Sequence, residues 1–456
     1  MSKRFNRSIS IVLVFALILS LFAGCRKSGD DYPSVVFPEN SESDKSASTD
    51  ETTDSTDIDI TSITIASPYS DQTIQRLAKL YYCKEHDLMG ENTGETIDIN
   101  YLDGIDADFI VNSILTSGEG ATTETITQWN DDNSSPDVFL TGSYKEMIAG
   151  GSIISLNEYL ADDSSLSSTN LFSGSIDQVS DDGMLYGIPF YSSAKVIVGN
   201  SEFIPDSGKL PFKSTTEQFE NYLRDIQKQF TCIPLSSGYD LAPYISSAFM
   251  NDNPCSFMMY DEYMEYKDSV LPNVNAMLNY LKKLYDDGLS SNLTPEGSNP
   301  AFSRNAGVWV ASSSEIESWS GYYPAGIYLG ALPTNDASSK IIPMTTLYAF
   351  CINKNSGNKL FSARFASFMA LDSDARLLLN RLEPRVGFLP SIRSADLWKS
   401  YSSSEISGQL YEFFYQNMDI AVYCPVSTDK LFQSVTDYMS GYDGSEFNPE
   451  ACYGQP

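Results

Sequence analysis

Ile63-Thr64-Ile65-Ala66-Ser67-Pro68-Tyr69-Ser70-Asp71, followed by Ile74, Leu77, Ala78 and Tyr81, is the stretch that decides the fold class. The first four residues alternate as a strand does, Ser67–Asp71 has turn chemistry, and the apolar residues after it recur at helical spacing. A second strand is expected at Thr96-Ile97-Asp98-Ile99-Asn100-Tyr101. Strand, helix, strand reads as a βαβ unit and a parallel sheet, so the class is α/β.

The same alternation continues downstream. Pro136-Asp137-Val138-Phe139-Leu140 is a short apolar run with the character of a buried strand. It opens into Thr141-Gly142-Ser143 and a helix from Tyr144 to Ala149. Ser214 and Glu217 have the spacing of a capping box, ahead of one apolar face made by Phe219, Tyr222, Leu223, Ile226 and Phe230. Further helices are expected at Val274–Asp286, ending at Gly288, and at Lys359–Leu371. Trp129 is expected in a polar loop, Gln128–Ser135, as a lid or an anchor, and Asp261–Lys267 as a solvated helix face.

The N-terminus has a different character. Lys3, Arg4 and Arg7 precede an uncharged run from Ile9 to Ala23, too short to span a bilayer comfortably. Residues 1–24 read as an export signal. The run ends Leu21-Phe22-Ala23-Gly24-Cys25, which resembles a bacterial lipobox, with Phe22 where that motif has a smaller aliphatic residue. That resemblance implies that Cys25 becomes the lipidated (palmitate-bearing) first residue, anchoring the chain on the extracellular face of the cell membrane. Residues 25–60 are then the anchor cysteine and a Ser/Thr/Asp-rich tether, too polar to bury. As a flexible coil the tether spans roughly 30–35 Å.

Composition narrows the function classes. The chain has 29 Lys+Arg against 60 Asp+Glu, a formal net charge of −31, and loss of the three cations before Cys25 takes it to −34. Such a surface repels nucleic acid, which is not an expected partner. The body after the tether exceeds the usual size of one core and suggests two domains. Besides Cys25 there are Cys83, Cys232, Cys255, Cys351, Cys424 and Cys452, without CxxC pairs and with one histidine, His86. A Cys/His zinc site is therefore not expected, nor any metal or cofactor, and the thiols are expected to be mostly free and buried.

Several segments occur in the order found in extracellular solute-binding proteins of the maltose-binding type. Pro136-Asp137-Val138-Phe139 and then Ala149-Gly150-Gly151-Ser152-Ile153-Ile154-Ser155-Leu156 resemble one stretch of that family. Asp182-Gly183-Met184-Leu185-Tyr186-Gly187-Ile188-Pro189 resembles its DGK-YGIP signature. Asn305–Val310, Phe350–Ser356 and Gly387-Phe388-Leu389-Pro390 resemble later segments. The chain departs from the pattern at Gly199-Asn200-Ser201, where the family has Tyr-Asn-Lys, and at Ser312-Ser313-Ser314, where it has an aromatic-rich turn.

The resemblance implies a two-lobed periplasmic-binding-protein-like fold with discontinuous lobes and a hinge. One lobe is expected from 61–190 plus about 295–345, the other from 191–294 plus about 346–456, with crossings near 190–194 and 343–348. It implies a monomer that captures a solute, most often a sugar, in the interlobe cleft and hands it to the membrane subunits of an ABC importer. Sugars need aromatic faces and planar hydrogen-bonding groups. The candidates at strand ends and crossings are Tyr69, Asp71, Thr141, Gly142, Tyr191, Ser192, Tyr239, Asp240, Ser313, Ser314, Trp319, Tyr348 and Arg385, with Tyr144 and Glu315 nearby. A lipid-anchored glycoside hydrolase and a non-transport surface adhesin stay open as alternatives, although no nucleophile elbow or phosphate loop is present. Amino-acid derivatives, polyamines and glycerol phosphates stay open beside sugars.

Overall fold

The computed structural model describes residues 61–236, 276, 279–291, 301–335, 341–402 and 405–423, except 91, 92, 94, 95, 133, 162, 164, 165 and 167–169. The expected signal, Cys25, the tether, Tyr239, Asp240 and the Asp261–Lys267 stretch lie outside the described residues.

β1 (Ser62–Ser67) buries Ile63, Ile65 and Ala66. α1 (Asp71–Glu85) starts at Ser70, whose hydroxyl accepts from Thr73 N, and buries Ile74, Leu77, Ala78 and Tyr81. The next element corrects the sequence reading. Residues 99–103 form a short helix, α2 (Ile99–Asp103), because Asp98 caps it by accepting from Asn100 N. The parallel partner of β1 is β2 (Ile110–Leu115) instead. The βαβ unit is present, with a later second strand. α3 (Thr123–Asp131) takes in Gln128 and Trp129, so Trp129 is a helical residue packed half-buried on the core rather than part of a loop.

β3 (Val138–Thr141) is buried throughout and runs parallel to β1. α4 (Tyr144–Ala149), α5 (Ser173–Gln178) and the small hairpin of β4 (Ser180–Asp181) and β5 (Met184–Leu185) lead into β6 (Ile188–Asn200). β6 is the strand on which the architecture turns. Residues up to Ala194 pair antiparallel with β10 (Met344–Ile352), and Lys195–Gly199 pair antiparallel with β8 (Ala306–Ser312). β9 (Ile327–Gly330) and β11 (Leu389–Pro390) also pair with β6, β9 near its end and β11 near its middle. β7 (Ile233–Leu235) runs parallel to β8, and β12 (Val422–Tyr423) runs parallel to β10.

This pairing corrects the expected division of the chain. Residues 306–312 lie beside the far half of β6, while 344–352 lie between β3 and the near half. The first region is therefore β1, β2, β3, β10 and the start of β6, and the second is the end of β6 with β7, β8 and β9. The sequence reading had the second-crossing segments the other way round. Strand alternation fixes that a segment is a strand, and only pairing fixes which sheet it joins.

The helices follow their apolar stripes. α6 (Thr216–Gln229) has a full capping box, but it is Thr215 with Gln218, one residue later than expected. The Ser214 carbonyl instead accepts from Thr334 N at 2.9 Å. Residues 279–286 are helical, and Gly288 follows at φ +68°, as its cap role requires. α7 (Ile316–Tyr322) packs beside β8, and α8 (Lys359–Leu371) has the expected bounds. α8 is buried almost all round, which follows from its covering by the sheet, α1 and α9 (Ser373–Leu382). α10 (Ala395–Tyr401) and α11 (Glu405–Asn417) follow. No helix of the described residues is long and apolar enough to cross a membrane. Cys83 and Cys351 are free and buried, and Cys232 is free and half-buried.

Candidate functional site

Parallel strands place their C-terminal ends, and the loops that follow them, on one edge of the sheet, where open α/β sheets bind ligands. Here the loops after β1, β2 and β3 meet the middle of β6 and the turn after α9. Tyr69 follows β1 and is buried, with its ring edge-on to Phe190 at 6.0 Å between centroids. Arg385 brings its guanidinium 4.9 Å from the centre of the Tyr69 ring, and its Nη2 donates to the Pro68 carbonyl. Tyr191, on β6, donates its hydroxyl to the Gly118 carbonyl at 2.7 Å. Its ring centroid lies 4.7 Å from Phe190, 4.5 Å from Phe388 and 5.4 Å from Tyr348. Gly142 lies under Tyr348: a Cβ on it would stand 3.2 Å from the Tyr348 ring. The structure thus brings Tyr69, Gly142, Tyr191, Tyr348 and Arg385 into one cluster.

The other candidates are placed differently. Thr141 is fully buried, and its hydroxyl is used locally, donating to Ala121 O at 2.7 Å and accepting from Ser143 N at 3.0 Å. It fixes the loop after β3 rather than presenting a free group. Ser192 is fully buried next to the cluster, and its Oγ has no hydrogen-bond partner among the described residues. Asp71 is exposed in the first turn of α1. Trp319 packs among Phe302, Trp309 and Tyr323, at 5.1, 5.2 and 6.2 Å, in the second region.

Ser313 and Ser314 sit where β6 changes partners. Ser313 Oγ accepts from Ala194 N at 3.0 Å and donates to Gly387 O at 2.5 Å. Ser314 and Ser193 pair their hydroxyls at 2.9 Å, and Lys195 Nζ reaches Ser312 Oγ at 2.8 Å. The serine run that departs from the family's aromatic turn is a knot joining three separated segments. Gly387 has φ +84°, and a Cβ there would overlap the Ser313 carbonyl, so the turn takes glycine for both reasons. The other departure also has a steric cause. At Gly199 a Cβ would overlap the Tyr328 ring, which fills the space over this position.

Burial pushes the Tyr69 phenol far above its ordinary pKa, and Tyr401 adds to this, while Arg376 and Arg385 pull the other way. Burial likewise raises Tyr191. Both tyrosines are therefore neutral hydroxyls at physiological pH. The arrangement gathers aromatic rings, phenol hydroxyls and a guanidinium, the group types that recognise a polyhydroxylated solute, with the rings packed against one another and the Tyr191 hydroxyl held by the Gly118 carbonyl. Among the described residues no group of three His, Cys, Asp or Glu side chains could hold a metal ion. A separate cavity of about 840 Å³, bordered by Tyr81, Lys84, Glu158, Arg364 and Asp372, shares no lining residue with the cluster.

Sequence reasoning missed four members of this neighbourhood: Phe190, Phe388, Arg376 and Glu383. Phe388 lies inside the quoted Gly387–Pro390 turn and was readable there. Arg376 left no signal: it is one of two arginines in a ten-residue helix, and only packing shows it buried. Phe190 looks like any core residue, and Glu383 shows its role only through a contact with the distant Ser70.

No protein-family model and no curated protein sequence matches the chain. Solved structures do. A cyclic α-maltosyl-1,6-maltose binding protein from Arthrobacter globiformis aligns with TM-score 0.62 at 12% identity, covering 84% of this chain and 95% of that one. An ABC substrate-binding protein from Listeria monocytogenes, in complex with cycloalternan, aligns with TM-score 0.60 at 15% identity, covering 84% and 94%. The sugar-binding protein MalE from Xanthomonas citri aligns with TM-score 0.60 at 14% identity, covering 84% and 92%. The alignments span nearly the whole length of these proteins. The chain has the two-lobed periplasmic-binding-protein-like fold that such solute-binding proteins share.

Proposed function

We propose that this chain is the solute-binding lipoprotein of an ABC importer, anchored through Cys25 outside the cell membrane, and that it captures a carbohydrate between its lobes without transforming it. The observation that carries this reading is the Tyr69, Tyr191, Tyr348, Phe388 and Arg385 cluster at the strand ends where β6 passes from one sheet region to the other. Rings of this kind cover the C–H faces of a sugar, and phenol and guanidinium groups meet its hydroxyls. A single strand shared by two sheet regions is also a natural hinge. Ligand contacts from both sides then favour a closed form, which is what membrane subunits would read. The sugar-binding names of the structural neighbours support the solute class. We place the protein on the extracellular face as a monomer, with residues 25–60 as its tether.

Thermal-shift measurements of the purified protein against mono- and oligosaccharides test the capture reading. A ligand-specific rise in Tm, with a smaller radius of gyration by X-ray scattering, is the expected result. Release of product from chromogenic glycosides would overturn it in favour of a hydrolase. Loss of labelled-palmitate incorporation in Cys25→Ser tests the anchor.

A further inference from the structure

We propose that the cluster takes an anionic carbohydrate, a sugar bearing a carboxylate or a phosphate, with Arg385 meeting the anion and Arg376 supplying a fixed positive charge behind it. This rests on the solute-capture reading and narrows its substrate class. The chain as a whole is strongly acidic, with 60 Asp+Glu against 29 Lys+Arg. Yet two guanidiniums converge on Tyr69. Arg385 lies over its ring, and Arg376 lies 3.9 Å from the centre of Phe190, the ring that abuts Tyr69. Arg76, Arg224, Arg393 and Lys84 all have carboxylate partners. Among the described residues neither Arg376 nor Arg385 forms an ion pair.

Arg376 is only 1% exposed, and its Nε, Nη1 and Nη2 are all buried without a hydrogen-bond partner among the described residues. Arg385 is half-buried, and its Nε is likewise buried without a partner. A buried guanidinium without an anion is among the more costly groups a protein can keep. The Phe190 face offsets part of that cost. Both guanidiniums act electrostatically on the Tyr69 hydroxyl. The carboxylate that feels Arg385 is Glu383, but its oxygens are committed elsewhere: it accepts from Ser70 N at 3.0 Å, from Thr73 Oγ1 at 2.6 Å and from Ser70 Oγ. The planar fork of a guanidinium matches carboxylate and phosphate oxygens, and such charge-assisted bonds are stronger than those to neutral hydroxyls.

Calorimetric titration of the purified protein tests this with matched probes: trigalacturonate against its fully methyl-esterified twin, and glucose 6-phosphate against glucose. The expected result is that an anionic member binds about ten- to a hundredfold more tightly than its neutral twin. The pair that shows the preference identifies carboxylate or phosphate. Arg385→Gln is expected to collapse that ratio towards one, Arg376→Met to narrow it, and Arg376→Lys to retain it. Neutral twins binding as tightly as the anions, or an unchanged ratio in Arg385→Gln, overturns the inference while leaving sugar capture standing. Failure of charged and neutral sugars alike overturns both.

Discussion

Ser313 joins three chain segments that are far apart in sequence, and its removal is the sharpest perturbation of the junction. Its hydroxyl accepts from Ala194 N at 3.0 Å and donates to Gly387 O at 2.5 Å, and Ser313 and Ala194 are fully buried. Ser313→Ala removes one small polar atom and adds no bulk. It leaves a buried N–H without its acceptor and a buried carbonyl without this donor. A buried group stripped of its partner costs about 1–3 kcal/mol, so the variant should lose about 2–4 kcal/mol of unfolding free energy. Urea denaturation of the ligand-free protein, followed by circular dichroism, measures this as a lower midpoint at an unchanged slope. Ser314→Ala is the internal control. Ser314 is half-buried and its hydroxyl pairs with Ser193 Oγ at 2.9 Å, so its loss should cost less than about 1 kcal/mol. A Ser313→Ala variant within about 0.5 kcal/mol of the parent, or a costlier Ser314→Ala, would refute the claim that the Ser313 hydroxyl holds the junction.

Three other outcomes follow from the same geometry. Gly199→Ala forces a methyl into the Tyr328 ring and should lower stability by about 1–3 kcal/mol, and the same substitution should cost much less in a Tyr328→Ala background, both read as thermal midpoints. Arg376→Met exchanges an unpaired buried cation for an apolar chain of similar reach; ligand-free stability should be retained or rise, and a loss above about 2 kcal/mol would contradict the reading of Arg376 as costly. Glu383 is held below the usual carboxylate range: burial pushes it up, but hydrogen bonds from Ser70 and Thr73, together with Arg385, outweigh that. Its stabilisation is then present above its unfolded pKa of about 4.3 and lost as pH falls through the lower folded value, so Glu383→Gln should lose less stability than the parent between about pH 5 and pH 3.

Much of the fold was legible because burial writes its period into a chain. β1, α1, β3, α4 and α8 all read correctly from the spacing of apolar residues, and the α8 bounds were found to the residue. The errors came where a local polar contact competed with that period. Asp98 caps a helix and turns an alternating Thr96–Tyr101 stretch away from strand, and Thr215 rather than Ser214 takes the cap because the Ser214 carbonyl is held by Thr334. At the site, tyrosines and an arginine at strand ends were visible as residue types. Their company was not: Thr141 and Ser313 look like ligand groups in sequence and spend their hydroxyls on backbone, while Arg376 looks like one more helical arginine and is buried beside Phe190.

The sequence by itself determined the α/β class, the helices α1, α4, α6 and α8, and the strand ends from which a binding surface could be built, since each depends on residues close together in the chain. Tertiary structure alone decided that β10 joins the first sheet region and β8 the second, that β6 serves both, and that two guanidiniums converge on Tyr69. Pairing and charge neighbourhood are long-range. They are set by which distant segment wins each strand edge and each buried contact, and no local period encodes that choice.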